Sequence, residues 1–408
     1  MFHGGRRYDH FPTATQTAAP GSPASCLRRH RPSCRFEWYR EEGGDPAELV
    51  TAWLAGNGLP VRNLILSATR FHPIGAGSVC GASLYVSADA GSVMAGGTLG
   101  ASTPVPGIPD VAAVLYVHTE PGDDRESGFS AASSGDAAST YELGGWRPSW
   151  TPAEHAGAVE AVRDAIARGD VYQVNVVGHA SAAYTGDPGP ALQRVTKLAG
   201  ARYGGLLRGD GWAIATASPE TLVEVRAARV LTRPIKGTGP ATEAGRRALL
   251  ASAKERAEHT MIVDLERNDL ARLAGVGPVR VDELFAVRQW SGLWQAESQV
   301  SAPIVGHLDL AALLRAVCPG GSVTGAPKLA ALQQIAGLEP VGRGVSMGAL
   351  GWVGTDHLDL GLTIRTVAAA EGRLHLWAGG GITIDSDPAA EVAEAAAKAG
   401  PLRSVLAR

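Results

Sequence analysis

The chain has 408 residues, is 45% hydrophobic and 19% charged, and carries a net charge of -3 at pH 7. Such a composition suits a globular protein with one large or two smaller cores, and without a basic block it argues against nucleic acid. No apolar run approaches the ~20 residues of a membrane span, the N-terminus lacks a signal-peptide apolar stretch, and Cys26, Cys34, Cys80 and Cys318 form no Cys-x-x-Cys. A reduced, cytoplasmic protein without disulfides or a zinc site is expected.

Residues 1–35 are rich in Pro, Ser, Thr, Ala, Gly and Arg and read as a disordered or spurious N-terminal extension. The segment 36–150 reads as the N-terminal part of the fold. It holds a short helix over Pro46–Leu54, short β-like runs from Leu64 to Val93, a buried strand over Val111–His118 and a long polar loop over Glu120–Gly145. The remainder, 151–408, is better patterned. Thr151-Pro152-Ala153-Glu154 opens a helix that runs to Arg168, with Gly169 as its cap. Asp170–Ala182 alternates like a strand, Leu192–Leu198 is helical, and Gly205–Thr216 is a hairpin around Arg208-Gly209-Asp210-Gly211.

Strand-like Leu222–Val225 and Arg229–Leu231 lead to Thr232-Arg-Pro-Ile-Lys-Gly-Thr238. Pro234 ends the ladder and Gly237 permits a tight turn, which aims Lys236, although a solvated loop lysine fits the same pattern. Thr242–Leu273 is helical with a break near Arg267-Asn268-Asp269. Glu255 and Glu258 share one face of it, and Glu391, Glu394 and Lys398 share a face of a later helix capped by Ser386 or Asp387. Either acidic pair alone is ordinary surface charge; converging, the two pairs make an all-oxygen site suited to Mg2+.

Pro319–Lys328 places glycines before a helix, as a carboxylate-binding loop or a plain turn would. Gly379-Gly380-Gly381 leaves a strand without side chains, as a close approach to its backbone requires. Arg365 lies within the apolar strand Leu362–Thr366 and, if it faces inward, needs an anionic partner.

Taken together, Asp170–Asn175, Thr232–Thr238, Glu258–Asp269, Pro319–Lys328, Ile364–Thr366 and Gly379–Pro388 resemble the chorismate-binding domain shared by anthranilate, aminodeoxychorismate, isochorismate and salicylate synthases. The resemblance covers about residues 151–402. It implies an α+β fold, one large domain of stacked antiparallel sheets flanked by helices, with chorismate and Mg2+ in a deep cleft. By the same resemblance, Glu255, Glu258, Glu391 and Glu394 hold the ion. Arg365 takes the enolpyruvyl carboxylate, and Thr238, Thr324, Gly379, Gly381 and Lys398 line the substrate site.

Two positions separate the reactions. Water-using relatives place a lysine base where this chain has Gln173; ammonia-using relatives have glutamine there. Anthranilate synthases usually carry alanine at Lys236, whereas Pro-Ile-Lys-Gly-Thr is typical of aminodeoxychorismate synthases, in which the lysine is a covalent nucleophile. Arg233 and Lys398 are the cations expected to favour its neutral form.

The resemblance therefore implies the aminodeoxychorismate synthase component I reaction, chorismate plus ammonia to 4-amino-4-deoxychorismate. The alternatives are an anthranilate synthase or a non-catalytic scaffold subunit. Gln295 stands where relatives carry a histidine general acid, so leaving-group protonation is open. No Leu-Leu-Glu-Ser motif for tryptophan is present in the N-terminal half, and no cysteine sits in a Gly-x-Cys-x-Gly elbow. Ammonia is thus expected from a separate glutamine amidotransferase subunit.

Overall fold

The computed structural model describes residues 30–65, 77–119, 141–290 and 293–408. In chain order the strands are β1 (His30–Trp38), β2 (Val79–Val86), β3 (Val111–His118), β4 (Glu142–Leu143), β5 (Arg147–Pro148), β6 (Gln173–Thr185), β7 (Tyr203–Gly209), β8 (Trp212–Ser218) and β9 (Thr221–Arg226). They continue as β10 (Arg229–Arg233), β11 (Ile235–Pro240), β12 (Arg280–Trp290), β13 (Leu293–Pro303), β14 (Gly325–Ala326), β15 (Ala349–Gly354), β16 (His357–Leu362), β17 (Thr366–Ala370) and β18 (Arg373–Ile382). The helices are α1 (Pro46–Gly56), α2 (Ala88–Ala95), α3 (Pro152–Arg168), α4 (Gly189–Val195), α5 (Glu243–Ala251), α6 (Ala253–Ala271), α7 (Leu310–Val317), α8 (Lys328–Leu338) and α9 (Pro388–Leu406).

The strands form two antiparallel sheets. The first runs β1-β3-β2-β15-β16-β9-β10-β13-β11, with β12 also on β13; the second runs β14-β6-β18-β17-β8-β7, with β4 and β5 on β6. One apolar cluster joins them face to face, with Leu84, Val223 and Leu360 from the first and Leu207, Ile214 and Trp377 from the second. The α+β class and the stacked, helix-flanked sheets are those the sequence implies.

Alternation along β6 decides what faces the gap between the sheets. Val174 and Val176 point outward and pack under Val159 and Val162 of α3 and Leu332 and Ile335 of α8. Gln173, Asn175 and Val177 therefore point the other way, and Val177 joins the inter-sheet core. On the same outer side, α4 and α9 cover Val367 and Leu376 with Leu192, Leu402 and Leu406.

Local chemistry sets the helix ends. Thr151 accepts from the N–H of Glu154 while Glu154 reaches back to Thr151, and Gly169 closes α3 at φ 83°. Among the described residues no helix is long and apolar enough to cross a membrane.

Several expectations shift. The extension predicted over residues 1–35 overlaps β1, because His30–Arg35 pair with β3; residues 1–29 lie outside the described residues. Strands β1 to β3 share a sheet with β15. Of the polar loop, 120–140 lie outside the described residues, while Glu142 and Leu143 pair with β6. Of the β-like runs, 66–76 lie outside as well, and Ala88–Ala95 is helical because Ser87 caps it by accepting from Ala90 N. Helix α4 starts three residues before the expected Leu192. The long helix breaks at Ser252, which is extended and caps Glu255 N, rather than at Arg267–Asp269.

Candidate active site

Lys236 does not sit in a turn. Pro234 interrupts the ladder, but the chain re-enters the sheet as β11 beside β13, with Lys236 opposite Ala296 and Thr238 opposite Gln295. The slip between them falls at Gly237, whose φ of 72° suits a bulge. A Cβ there would lie 2.8 Å from Glu255 Oε2, so the carboxylate packs onto the bulged backbone. His259 of α6 fixes this strand: Nε2 donates to Lys236 O at 3.0 Å and Nδ1 lies 2.9 Å from Ser298 Oγ. Burial lowers the His259 pKa, in keeping with this neutral, strand-holding role. The amine of Lys236 donates to Ser322 O at 3.3 Å, in the loop that precedes α8.

The second sheet meets it here. A Cβ on Gly381 would lie 2.0 Å from Gln173 Nε2 and 3.6 Å from Lys236 Nζ, so Gly381, Gln173 and Lys236 converge. Gly379 is closed to any side chain by Val176 O, 1.9 Å from a built Cβ, and its own carbonyl accepts from Lys398 Nζ at 2.9 Å. A Cβ on Gly380 would meet Glu391 Oε2 at 2.9 Å. The glycine run thus lets side chains from β6, β11 and α9 close on one strand.

The two glutamate pairs approach from opposite sheets, Glu255 and Glu258 on α6 and Glu391 and Glu394 on α9. Burial raises the Glu258 pKa; Lys236 opposes the rise, and Glu255 and Glu391 add to it. Burial also pulls Glu394 upward, but Lys398, 2.8 Å away, outweighs it and leaves that carboxylate lowered. Glu391 accepts from Ser386 Oγ at 2.8 Å. An all-carboxylate set in which Glu255 and Glu391 crowd Glu258 with like charge, only partly offset by Lys236 and Lys254, fits a hard divalent cation such as Mg2+.

Arg365 lies not within a strand but at the bend between β16 and β17, at φ 48°. It directly precedes β17, which pairs only with the first part of β18, so it stands at the end where Gly379–Gly381 overhang. Burial lowers the pKa of its guanidinium, and among the described residues no carboxylate pairs with it. Such a cation suits an anionic ligand.

The expected lining is not uniform. Thr324 is buried with its hydroxyl donated to Gly320 O at 2.9 Å, so it holds the loop together; Thr238 is exposed. Gln295 is buried across from Thr238. Lys328, at the end of the loop, pairs with Asp269 of α6 at 2.7 Å, both buried. Arg233 is bound to Glu224 at 2.7 Å, and Lys398 to Glu394, so the cations expected to act on Lys236 are engaged by acids.

Sequence reading missed Glu220. In Ser218-Pro219-Glu220 it connects β8 to β9 and is fully enclosed. Burial raises its pKa against Lys236, against a hydrogen bond with Ser322 and against the N–H of Ile235. The signal was available as an acid between two apolar strands, 16 residues before the lysine it faces.

Residues 116–404 match the model of the chorismate binding enzyme family. The chain belongs to that family. Aminodeoxychorismate synthase component 1 of Klebsiella aerogenes is 39% identical over 271 residues, covering 64% of this chain and 60% of that protein. Anthranilate synthase component 1 of Streptomyces coelicolor is 40% identical over 259 residues, covering 61% and 50%. The chain thus spans less than two thirds of these relatives' length. Anthranilate synthase component I of Streptococcus pneumoniae has a similar solved structure, with TM-score 0.73, 25% identity and coverage of 96% and 94%. The menaquinone-specific isochorismate synthase of Escherichia coli, at 15% identity and TM-score 0.62, shares the fold.

Proposed function

We propose that the chain is component 1 of an aminodeoxychorismate synthase, which converts chorismate and ammonia to 4-amino-4-deoxychorismate. The observation that carries this reading is Lys236, held between Gln173, Gly381 and the buried acid Glu220. Its amine attacks C2 of chorismate, the ring π electrons shift, and the C4 hydroxyl leaves as water on taking a proton from Glu220. Ammonia then adds at C4, the electrons shift back, and the lysine amine departs from C2. Glu220 suits the acid role because burial raises its pKa and so favours its protonated form, which offers a donor where Gln295 cannot act.

Gln173 cannot take a proton at neutral pH, which disfavours water as the nucleophile. Arg365 offers its fork to a substrate carboxylate. Glu255, Glu258, Glu391 and Glu394 would hold Mg2+, which supplies charge for the other carboxylate and offsets the negative charge facing Lys236, favouring the neutral amine.

Ammonia comes, on this reading, from a separate glutamine amidotransferase subunit, in keeping with the "component 1" names of the relatives, and the protein works in the cytoplasm. Incubation with chorismate, Mg2+ and ammonium tests it. 4-Amino-4-deoxychorismate is expected; anthranilate would make the chain an anthranilate synthase, and no turnover would make it a binding subunit.

A further inference from the structure

At the other end of the first sheet from β11, three ligand-type side chains meet. β1, β3 and β2 lie side by side, and His30 stands directly across from His118. The β2–β3 register slips between Val79 and Gly81, so Cys80 is the extra residue of a bulge. One ring nitrogen from each histidine and the Cys80 sulfur all lie within 4.8 Å of one another. Cys80 Sγ is 3.2 Å from Tyr116 O, and the two imidazoles meet edge to face at 4.5 Å between centroids.

The histidines are the unexplained part. Both nitrogens of His30 and Nε2 of His118 are buried without a hydrogen-bond partner, and His118 is only 8% exposed. Buried polar atoms rarely stay unsatisfied without a reason. Burial lowers the pKa of both rings, and together with His118 takes His30 down to about 4.

We propose that His30, Cys80 and His118 bind a zinc ion, with water in the fourth position. Two imidazoles and a thiolate are borderline-soft ligands that favour zinc over the hard cations suited to carboxylates. Binding forms two N–Zn bonds and one S–Zn bond, and the Cys80 thiol proton goes to solvent. The ion ties edge strand β1 to β3 and to β2 beyond it. Separation in sequence hides the site, since each ligand comes from a different strand, whereas the expectation of no zinc site rested on the absence of a Cys-x-x-Cys.

The test uses the full-length protein, stripped with chelator and held in excess Mg2+ to occupy the carboxylates. Added Zn2+ should be retained at one per chain after desalting and should protect Cys80 from alkylation, read by mass spectrometry. Co2+ should give a sulfur-to-metal charge-transfer band that is lost in Cys80→Ser and His30→Gln and kept in Glu258→Gln. The alkylation arm needs no variant, so a folding defect does not mask the answer. No retained zinc, unchanged alkylation, or a band lost only in Glu258→Gln overturns the proposal.

Discussion

The amine of Lys236 donates to the carbonyl of Ser322 at 3.3 Å, joining the edge strand β11 to the loop before α8. A lysine so held has lost much of the freedom of a surface side chain, and freedom lost before reaction need not be lost during it. Lys236→Ala should abolish amination of chorismate while the fold persists, because the residue is only half-buried and its backbone bond to His259 survives. Product analysis with circular dichroism checks this. Wild-type rates with the same product would rule out a covalent role.

Glu220 should govern the alkaline side of the pH profile. Burial raises its pKa, so as the proton donor it should let turnover fall as pH rises through that raised value. Glu220→Gln should lower kcat by about 10²–10⁴-fold and remove that limb. The stability sign is opposite to that of a paired carboxylate: wild type loses stability as pH rises from the unfolded pKa toward the raised folded one, and the glutamine variant should not. Thermal melts across pH read this separately from activity.

Gly379 and Gly381, two residues and roughly 6.6 Å apart along one strand at about 3.3 Å per residue, should fail differently. A methyl at Gly379 would meet the backbone of Val176, which cannot yield, so Gly379→Ala should cost about 1–3 kcal/mol of stability. At Gly381 the obstacle is the end of Gln173, a side chain that can swing aside. Gly381→Ala should therefore melt near wild type yet lose turnover. Equal loss of stability in both would contradict the placement of Gln173 against Gly381.

Lys328 and Asp269 form a buried ion pair at 2.7 Å. Burial raises the Asp269 pKa and Lys328 lowers it, while neighbouring Glu266 is pushed up to about 8 by burial and by Asp269. Removing the cation strands buried acid, so Lys328→Met should cost about 3–5 kcal/mol, measured by denaturant unfolding at neutral pH. A smaller loss is expected in acid, where the carboxyls protonate.

How much of this is legible in the chain depends on whether the cause is local. The caps of α3 and the apolar run of β3 are, because Thr151, Glu154, Gly169 and Val111–His118 carry their own signals. The glutamate spacings fix the shared faces of α6 and α9. The strand identity of Lys236 is not legible, since Pro234 and Gly237 suggest a turn and only pairing with distant β13 holds the segment extended. Nor is the bend at Arg365, nor the inward hydroxyl of Thr324. The burial that raises Glu220 and the meeting of His30, Cys80 and His118 arise from long-range packing, on which no local pattern reports.

Glu258→Gln should remove the Mg2+ dependence of turnover, because its carboxylate is the one held up by burial and by Glu255 and Glu391. Titration of activity against Mg2+ reads this; an unchanged Mg2+ curve would move the ion elsewhere.

On the proposed reaction, Lys236 directs ammonia to C4. Identification of the product from chorismate, ammonium and Mg2+, without any lyase, tests it most directly. The wild type should yield 4-amino-4-deoxychorismate and Lys236→Ala should not; fluorescent anthranilate from the wild type would contradict amination at C4.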